Sequence, residues 1–323
     1  MLQVALAGTF AACLDAPLRR HLRTDARLIV ASEAEIVPQL AETDVLVTMA
    51  FTPEMARRAT RLKLVQVAGA GLDRIDRSAL PEGAALANVY GHETGIAEYA
   101  IGAMLALSRE FFRVDAALRR GEWHSQWAVG AAIPPVWPEL AGKTLCLLGY
   151  GHIGREIARR ARAFDMKIEI IRRDPRQATS EEVDFCGRPE RLGEVLSCAD
   201  FVVVAMPATE ETTGLLGARE FALMKPAAFL INVARAQIVD EAALYEALAQ
   251  RTIAGAALDV WYRYPTAPGA TMPAALPFHE LPSVLMTPHV SGWTDGMIEA
   301  RATLIAENIR RVATGEPLLN VVS

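Results

Sequence analysis

A glycine-punctuated turn between an apolar strand and a helix constrains this chain more than any other feature. The run Thr144-Leu145-Cys146-Leu147-Leu148 leads directly into Gly149-Tyr150-Gly151-His152-Ile153-Gly154, and a helix is expected over residues 155–164. In that setting each glycine has its own use. The first permits a tight turn, the second lets backbone N–H groups reach a pyrophosphate, and the third lets helix and strand pack closely. The unpaired N–H donors and the dipole of the helix start favour an anion. The stretch therefore reads as a dinucleotide fingerprint, with Gly149, Gly151, His152, Ile153 and Gly154 at the cofactor. The competing reading is an ordinary strand-to-helix turn.

The next strand, Lys167-Ile168-Glu169-Ile170-Ile171, ends in Arg172-Arg173-Asp174-Pro175. A carboxylate at such a junction suits the ribose 2′-OH of NAD, whereas cations suit the 2′-phosphate of NADP. Arg172 and Arg173 favour NADP. Asp174, slightly later, keeps NAD open.

Short apolar strands alternate with amphipathic helices, the pattern of parallel α/β sheets covered on both faces. A first series runs through Val4 to Ala7, Val45 to Met49 and Leu64 to Val67; a second starts at Leu145 and continues at Phe201, Ala228 and Gly255. The expected fold is α/β, with two Rossmann-like doubly wound parallel-sheet domains and a cleft between them. A discontinuous substrate domain would comprise residues 1–91 and 290–323, and the dinucleotide-binding domain residues 92–289. Between the two series lies a long helix expected over residues 96–113. The Trp- and Pro-rich stretch 123–138 after it reads as an irregular crossing or dimer loop. The helix near residues 297–313 is expected to pack back on the first domain.

A chain of 323 residues, 52% of them hydrophobic, can bury two cores. Its net charge of -5 argues against general binding to nucleic acid or anionic membranes, so any anion site must be local. Cys13, Cys146, Cys186 and Cys198 have no C-x-x-C or zinc spacing, which implies reduced thiols, a cytoplasmic location and no metal. The apolar start Leu2 to Ala7 reads as a first strand rather than a secretory segment, because no basic stretch precedes it. No apolar run approaches the ~18 residues of a membrane span.

Several further motifs, in order, resemble the D-isomer-specific 2-hydroxyacid dehydrogenase family over nearly the whole chain. They are Val65-Gln66-Val67-Ala68-Gly69-Ala70-Gly71-Leu72-Asp73, Ile96-Ala97-Glu98-Tyr99, the Gly149 fingerprint, Leu230-Ile231-Asn232-Val233-Ala234-Arg235, Leu258-Asp259-Val260 and Thr287-Pro288-His289. The resemblance implies reduction of small 2-keto acids such as glyoxylate or hydroxypyruvate, or oxidation of D-2-hydroxy acids, with NADP or NAD, in a homodimer. It implies carboxylate binding by Ala70 and Gly71, with Met49 nearby, and cofactor contacts from Met206, Pro207, Thr213, Val233, Ala234 and Asp259. Buried structural service is the alternative for Asp259.

That chemistry needs a hydride, a proton for the carbonyl oxygen, and a cation that fixes the carboxylate. Arg235, just past a strand end, has the fork for the anchor. His289 has an imidazole that exchanges a proton near neutral pH. The family departs from this sequence at the third catalytic position, where a glutamate normally pairs with the histidine; Val260-Trp261-Tyr262-Arg263-Tyr264-Pro265 places Tyr264 there. Tyr264 is expected to orient His289 through its hydroxyl, with Glu93 and Glu280 as alternative partners. The loss of the glutamate leaves a second reading open, a catalytically weak nucleotide-sensing protein of the same fold.

Overall fold

A computed structural model of the chain describes residues 1–130, 136–174 and 183–322. It divides into two compact units, one of residues 1–92 with 293–323 and the other of residues 93–292.

The first unit is built on five parallel strands, β1 (Leu2–Ala7), β2 (Ala26–Ala31), β3 (Val45–Thr48), β4 (Leu64–Val67) and β5 (Ala85–Ala87), in the order β2-β1-β3-β4-β5. Successive side chains leave a strand on opposite faces. Val4, Leu6, Val45 and Val47 therefore pack on one side with Leu14, Leu18, Ile305 and Ile309. Ala5, Ala7, Leu46 and Val65 pack on the other with Leu40, Phe51 and Met55. Burial on both faces explains why the inner strands β1, β3 and β4 read as largely apolar runs. The helix Asp295–Thr314 returns to this unit and packs on the helix Asp15–His21.

The second unit holds seven parallel strands: β6 (Thr144–Leu148), β7 (Lys167–Ile171), β8 (Phe185–Gly187), β9 (Phe201–Val204), β10 (Phe229–Asn232), β11 (Gly255–Leu258) and β12 (Val284–Met286). Their order is β12-β11-β10-β9-β6-β7-β8. The chain thus runs outward from β6 in one direction, then returns and continues in the other from β9. The carboxyl ends of β6 and β9 flank the point where the order reverses, which is where open α/β sheets bind ligands. Leu145, Leu147, Ile168 and Val203 pack on one face with Ile96, Ala100 and Met104 of the helix Glu93–Ser108. Leu148, Val202, Val204 and Leu230 pack on the other.

β2, β5, β8 and β12, which are not among the strands expected from the sequence, are the four sheet edges. Edge strands are half-exposed or very short, so their apolar pattern is diluted; β2 has no fully buried residue. The expected helix over residues 96–113 is also corrected. It is two helices, Glu93–Ser108 and Phe111–Arg119, separated at Glu110, which adopts a left-handed φ of 51°. Ser108 Oγ bonds back to the Met104 carbonyl at 2.7 Å, and the Glu110 carboxylate accepts from Trp137 Nε1 at 3.1 Å. Both bonds favour ending the helix there. Of the stretch 123–138, residues 131–135 lie outside the described residues. No helix among the described residues is long and apolar enough to cross a membrane.

Candidate active site

The three fingerprint glycines occupy three different environments. Gly149 closes β6 with φ +101°, and a Cβ there would lie 2.7 Å from the Ala205 carbonyl and 2.9 Å from Met206 Cβ. Gly154 lies inside the helix His152–Arg162, where a Cβ would meet the Gly149 carbonyl oxygen at 2.5 Å. Around Gly151, at the helix N-cap, a Cβ would meet nothing within 4 Å among the described residues. Two glycines are thus demanded by packing, and the third keeps a space clear at the helix start. That space fits a pyrophosphate. Gly151→Ala is accordingly expected to leave thermal stability within about 0.5 kcal/mol while raising the dinucleotide dissociation constant at least about tenfold. Gly154→Ala should destabilise by about 1–3 kcal/mol. Differential scanning calorimetry and fluorescence titration would check the pair, and equal melting temperatures would remove the distinction.

The other expected cofactor residues lie along the same sheet margin. Met206 and Pro207 follow β9, and the Pro207 carbonyl accepts from Thr212 Oγ1 at 2.9 Å. The next residue, Thr213, is exposed and donates its hydroxyl to the Thr209 carbonyl at 2.7 Å. Val233 and Ala234 follow β10, whose last residue Asn232 clamps the chain: Oδ1 accepts the Ala234 N–H at 3.1 Å and Nδ2 donates to the Arg235 carbonyl at 3.0 Å. His152 is exposed and Ile153 half-buried at the helix start. Arg172 and Arg173 follow β7, beside the fingerprint, because Gly149 N–H donates to the Ile171 carbonyl at 3.0 Å. Arg172 is half-buried and Arg173 exposed.

Arg235, Tyr264, His289 and Asp259 come together in this unit. Tyr264 Oη lies 2.8 Å from His289 Nδ1 and accepts the Trp261 N–H at 3.3 Å. The tyrosine therefore occupies Nδ1, and Nε2 has no hydrogen-bond partner among the described residues. Burial holds the His289 pKa below the ordinary imidazole value although the residue remains reachable by solvent; Asp259 pulls it up and Arg235 pushes it down. The same arginine and aspartate act on Tyr264, whose phenol is raised chiefly by burial. Neither alternative glutamate is among the charges that act on His289. Glu280 lies in the turn Phe278–Glu280 beside His279, and Glu93 opens the helix Glu93–Ser108.

Asp259 is fully buried at the end of β11 and belongs to the scaffold of His289. Oδ1 accepts from Thr287 Oγ1 at 2.6 Å and from the Val290 N–H at 2.9 Å; Oδ2 accepts from the Ser291 N–H at 2.9 Å. These bonds fasten the turn on both sides of His289, which sits at a left-handed φ of 59°. Such a conformation is held by its surroundings. Tyr99 adds its hydroxyl to Thr287 Oγ1 at 2.8 Å, and Trp261 Nε1 donates to the Thr287 carbonyl at 2.8 Å. Tyr99, Trp261 and Thr287 lie within the motifs quoted above, but the sequence assigns none of them this supporting role. Thr287 was discoverable, since it precedes His289 by two residues.

In the first unit, Met49 lies against the glycine loop: a Cβ on Gly69 would be 3.1 Å from Met49 Cε. The loop carbonyls are held from behind. Ala68 accepts from Arg301 Nη1 at 3.0 Å, Gly69 from the Val89 N–H at 3.2 Å, and Ala70 from Asn88 Nδ2 at 3.0 Å. In a trans peptide the N–H points opposite to the preceding C=O. The N–H groups of Gly69, Ala70 and Gly71 therefore each point away from the donor that holds the preceding carbonyl.

The family model for the D-isomer specific 2-hydroxyacid dehydrogenase, NAD binding domain, matches residues 101–291. The chain is 35% identical over 301 residues to a D-3-phosphoglycerate dehydrogenase of Methanocaldococcus jannaschii, covering 90% of this chain and 54% of that protein, so it spans about half of that relative's length. It is 35% identical over 294 residues to a glyoxylate reductase of Pyrococcus furiosus, covering 87% of this chain and 83% of the other. Its fold also matches the crystal structure of an NADPH-dependent glyoxylate/hydroxypyruvate reductase from Sinorhizobium meliloti in complex with citrate. That match has a TM-score of 0.82 at 27% identity and covers 100% and 98% of the two chains.

Proposed function

Because the chain belongs to the D-isomer-specific 2-hydroxyacid dehydrogenase family, we propose that it reduces small 2-keto acids with NADPH, glyoxylate and hydroxypyruvate being the first substrates to try. The observation that carries the reading is the cluster of Arg235, Tyr264 and His289, a cationic fork beside an imidazole held at one nitrogen. The names of the relatives are enzyme names, which lends the nucleotide-sensing alternative no support.

A nicotinamide dinucleotide held by the fingerprint turn would supply the hydride for the carbonyl carbon. Arg235 orients the substrate carboxylate and carbonyl oxygen, and His289 delivers a proton from Nε2 to that oxygen. Tyr264 steadies the ring through Nδ1. A hydroxyl can donate to Nδ1 or accept from it, so the same bond serves neutral and protonated imidazole. Ala70 and Gly71 offer N–H groups to the carboxylate, and Met49 adds an apolar wall. Gly149, Gly151, His152, Ile153, Gly154, Met206, Pro207, Thr213, Val233 and Ala234 are assigned to the dinucleotide. Asp259 is assigned to the His289 turn.

NADPH is proposed over NADH because Arg172 and Arg173 stand where the second strand of the fingerprint unit ends. A charge-assisted contact to phosphate contributes about 1.5–3 kcal/mol. Arg173→Ala should therefore lower the NADPH/NADH ratio of kcat/KM by about tenfold or more. An unchanged ratio would overturn the assignment. The function itself is tested by following NADPH consumption across a panel of 2-keto acids, and tight cofactor binding without turnover on any of them would overturn it.

We propose a homodimer in the cytoplasm. Trp123, Trp127 and Val129 are exposed, Trp127 to 82%, and contiguous apolar surface of this kind marks association sites. The cysteine usage, with no C-x-x-C spacing, supports a reducing compartment. Sedimentation equilibrium should return twice the 35.0 kDa chain mass, and Trp127→Glu should shift the equilibrium toward monomer.

A further inference from the structure

We propose that Arg301 is a positioning residue for substrate, which holds the 68–71 loop in its anion-binding form and places a positive charge behind its N–H groups. The inference rests on the proposed use of that loop for a carboxylate. Arg301 is only 6% exposed. It lies in the helix Asp295–Thr314, donates through Nη1 to the Ala68 carbonyl at 3.0 Å and through Nε to the Tyr90 carbonyl at 3.3 Å, and lays its guanidinium over the Phe10 ring at 5.2 Å. A Cβ on Gly69 would lie 3.7 Å from Nη1. The charge is therefore in van der Waals reach of the loop it braces.

Fastening the loop does not by itself require a cation. Two helical turns further along, Asn308 ties the same helix to Gln66 Oε1 at 2.7 Å and to the Leu319 carbonyl at 3.1 Å with a neutral amide. Burying a guanidinium is more costly than burying an amide. What the charge adds is a favourable potential on the far side of the loop, where the Gly69 N–H, opposite the Ala68 carbonyl, points. In a partly desolvated site such a potential acts strongly on a carboxylate. The helix is seated closely enough to fix the distance, since a Cβ on Gly91, at φ +101°, would be 2.8 Å from Ala300 Cβ.

The test uses the full chain with saturating NADPH, the KM for glyoxylate, and the dissociation constant for oxamate, an unreactive mimic of a 2-keto acid. Arg301→Met should raise both constants about tenfold or more, leaving kcat within about threefold and the NADPH dissociation constant within about twofold. Arg301→Lys keeps the charge with a single point of donation and should recover most of the affinity, whereas Arg301→Gln keeps a donor and should not. The last two variants carry the same expectation should the methionine variant fail to fold. Glyoxylate and oxamate constants unchanged in Arg301→Met, or glutamine rescuing as well as lysine, would overturn the proposal alone. A parent protein that neither reduces glyoxylate nor binds oxamate would overturn the proposed function together with it.

Discussion

Arg235→Lys is expected to lower kcat/KM for keto-acid reduction by about a hundredfold or more while leaving the melting temperature nearly unchanged. The backbone that presents Arg235 is clamped by Asn232 on both sides, at Ala234 N and at the Arg235 carbonyl, and the guanidinium itself rests on the Ala234 carbonyl at 2.8 Å. A lysine would be launched from the same place but would bring a point charge instead of a planar fork. It could attract a carboxylate without fixing the adjoining carbonyl oxygen. The pH dependence separates charge from geometry. Arg235 pushes the His289 pKa down by its charge. In Arg235→Lys the alkaline limb of reductive kcat/KM should therefore stay near its parental position, whereas in Arg235→Met it should move up. Activity of the lysine variant within twofold of the parent would remove Arg235 from the anchoring role.

Tyr264→Glu is expected to move the alkaline limb of reductive kcat/KM upward by about one to three pH units. In the parent, burial holds the His289 pKa below the ordinary imidazole value, and the tyrosine opposite Nδ1 is neutral, because burial raises its own pKa further above neutrality. On the proposed assignment, reduction uses protonated His289, so it should be strongest at acid pH and fall as pH rises through that lowered pKa. A glutamate at 264 would stabilise the imidazolium and raise the pKa, extending reduction to higher pH. Oxidation requires the neutral ring, so its profile rises through the same pKa and would be displaced upward to the detriment of activity near neutrality. Paired pH–rate profiles in both directions, with a deuteride isotope effect showing that chemistry limits the rate, provide the measurement. A reductive limb that stays in place would mean that the ring is oriented by some other group.

Asp259 sets a boundary on that experiment. It pulls the His289 pKa upward but is fully committed to Thr287, Val290 and Ser291, so its influence is exerted from behind the turn. Changing Tyr264 leaves this scaffold intact. The two effects on His289 are thus separable, one from the ring's hydrogen-bond partner and the other from the carboxylate that holds its backbone.

Features whose causes are local were legible in the amino-acid order alone. The inner strands read as apolar runs because both of their faces are buried, and Gly149, Gly151 and Gly154 could be assigned separate uses because a strand-to-helix turn prescribes where each Cβ would go. Arg235 stood out because it follows a buried strand, and both Arg235 and His289 lie in motifs of known chemistry. Tertiary structure decided what depends on approach between distant residues. The edge strands β2, β5, β8 and β12 carry diluted patterns and become strands only by pairing with a neighbour. The break at Glu110 depends on Trp137, which reaches back across 27 residues. The hydrogen bond of Tyr264 to His289 spans 25 residues, that of Asp259 to Val290 spans 31, and the bond that braces Ala68 from Arg301 spans 233. Hydrogen bonds act over about 3 Å with strict direction, so a sequence can nominate their donors and acceptors, but only the folded backbone brings a particular pair within reach.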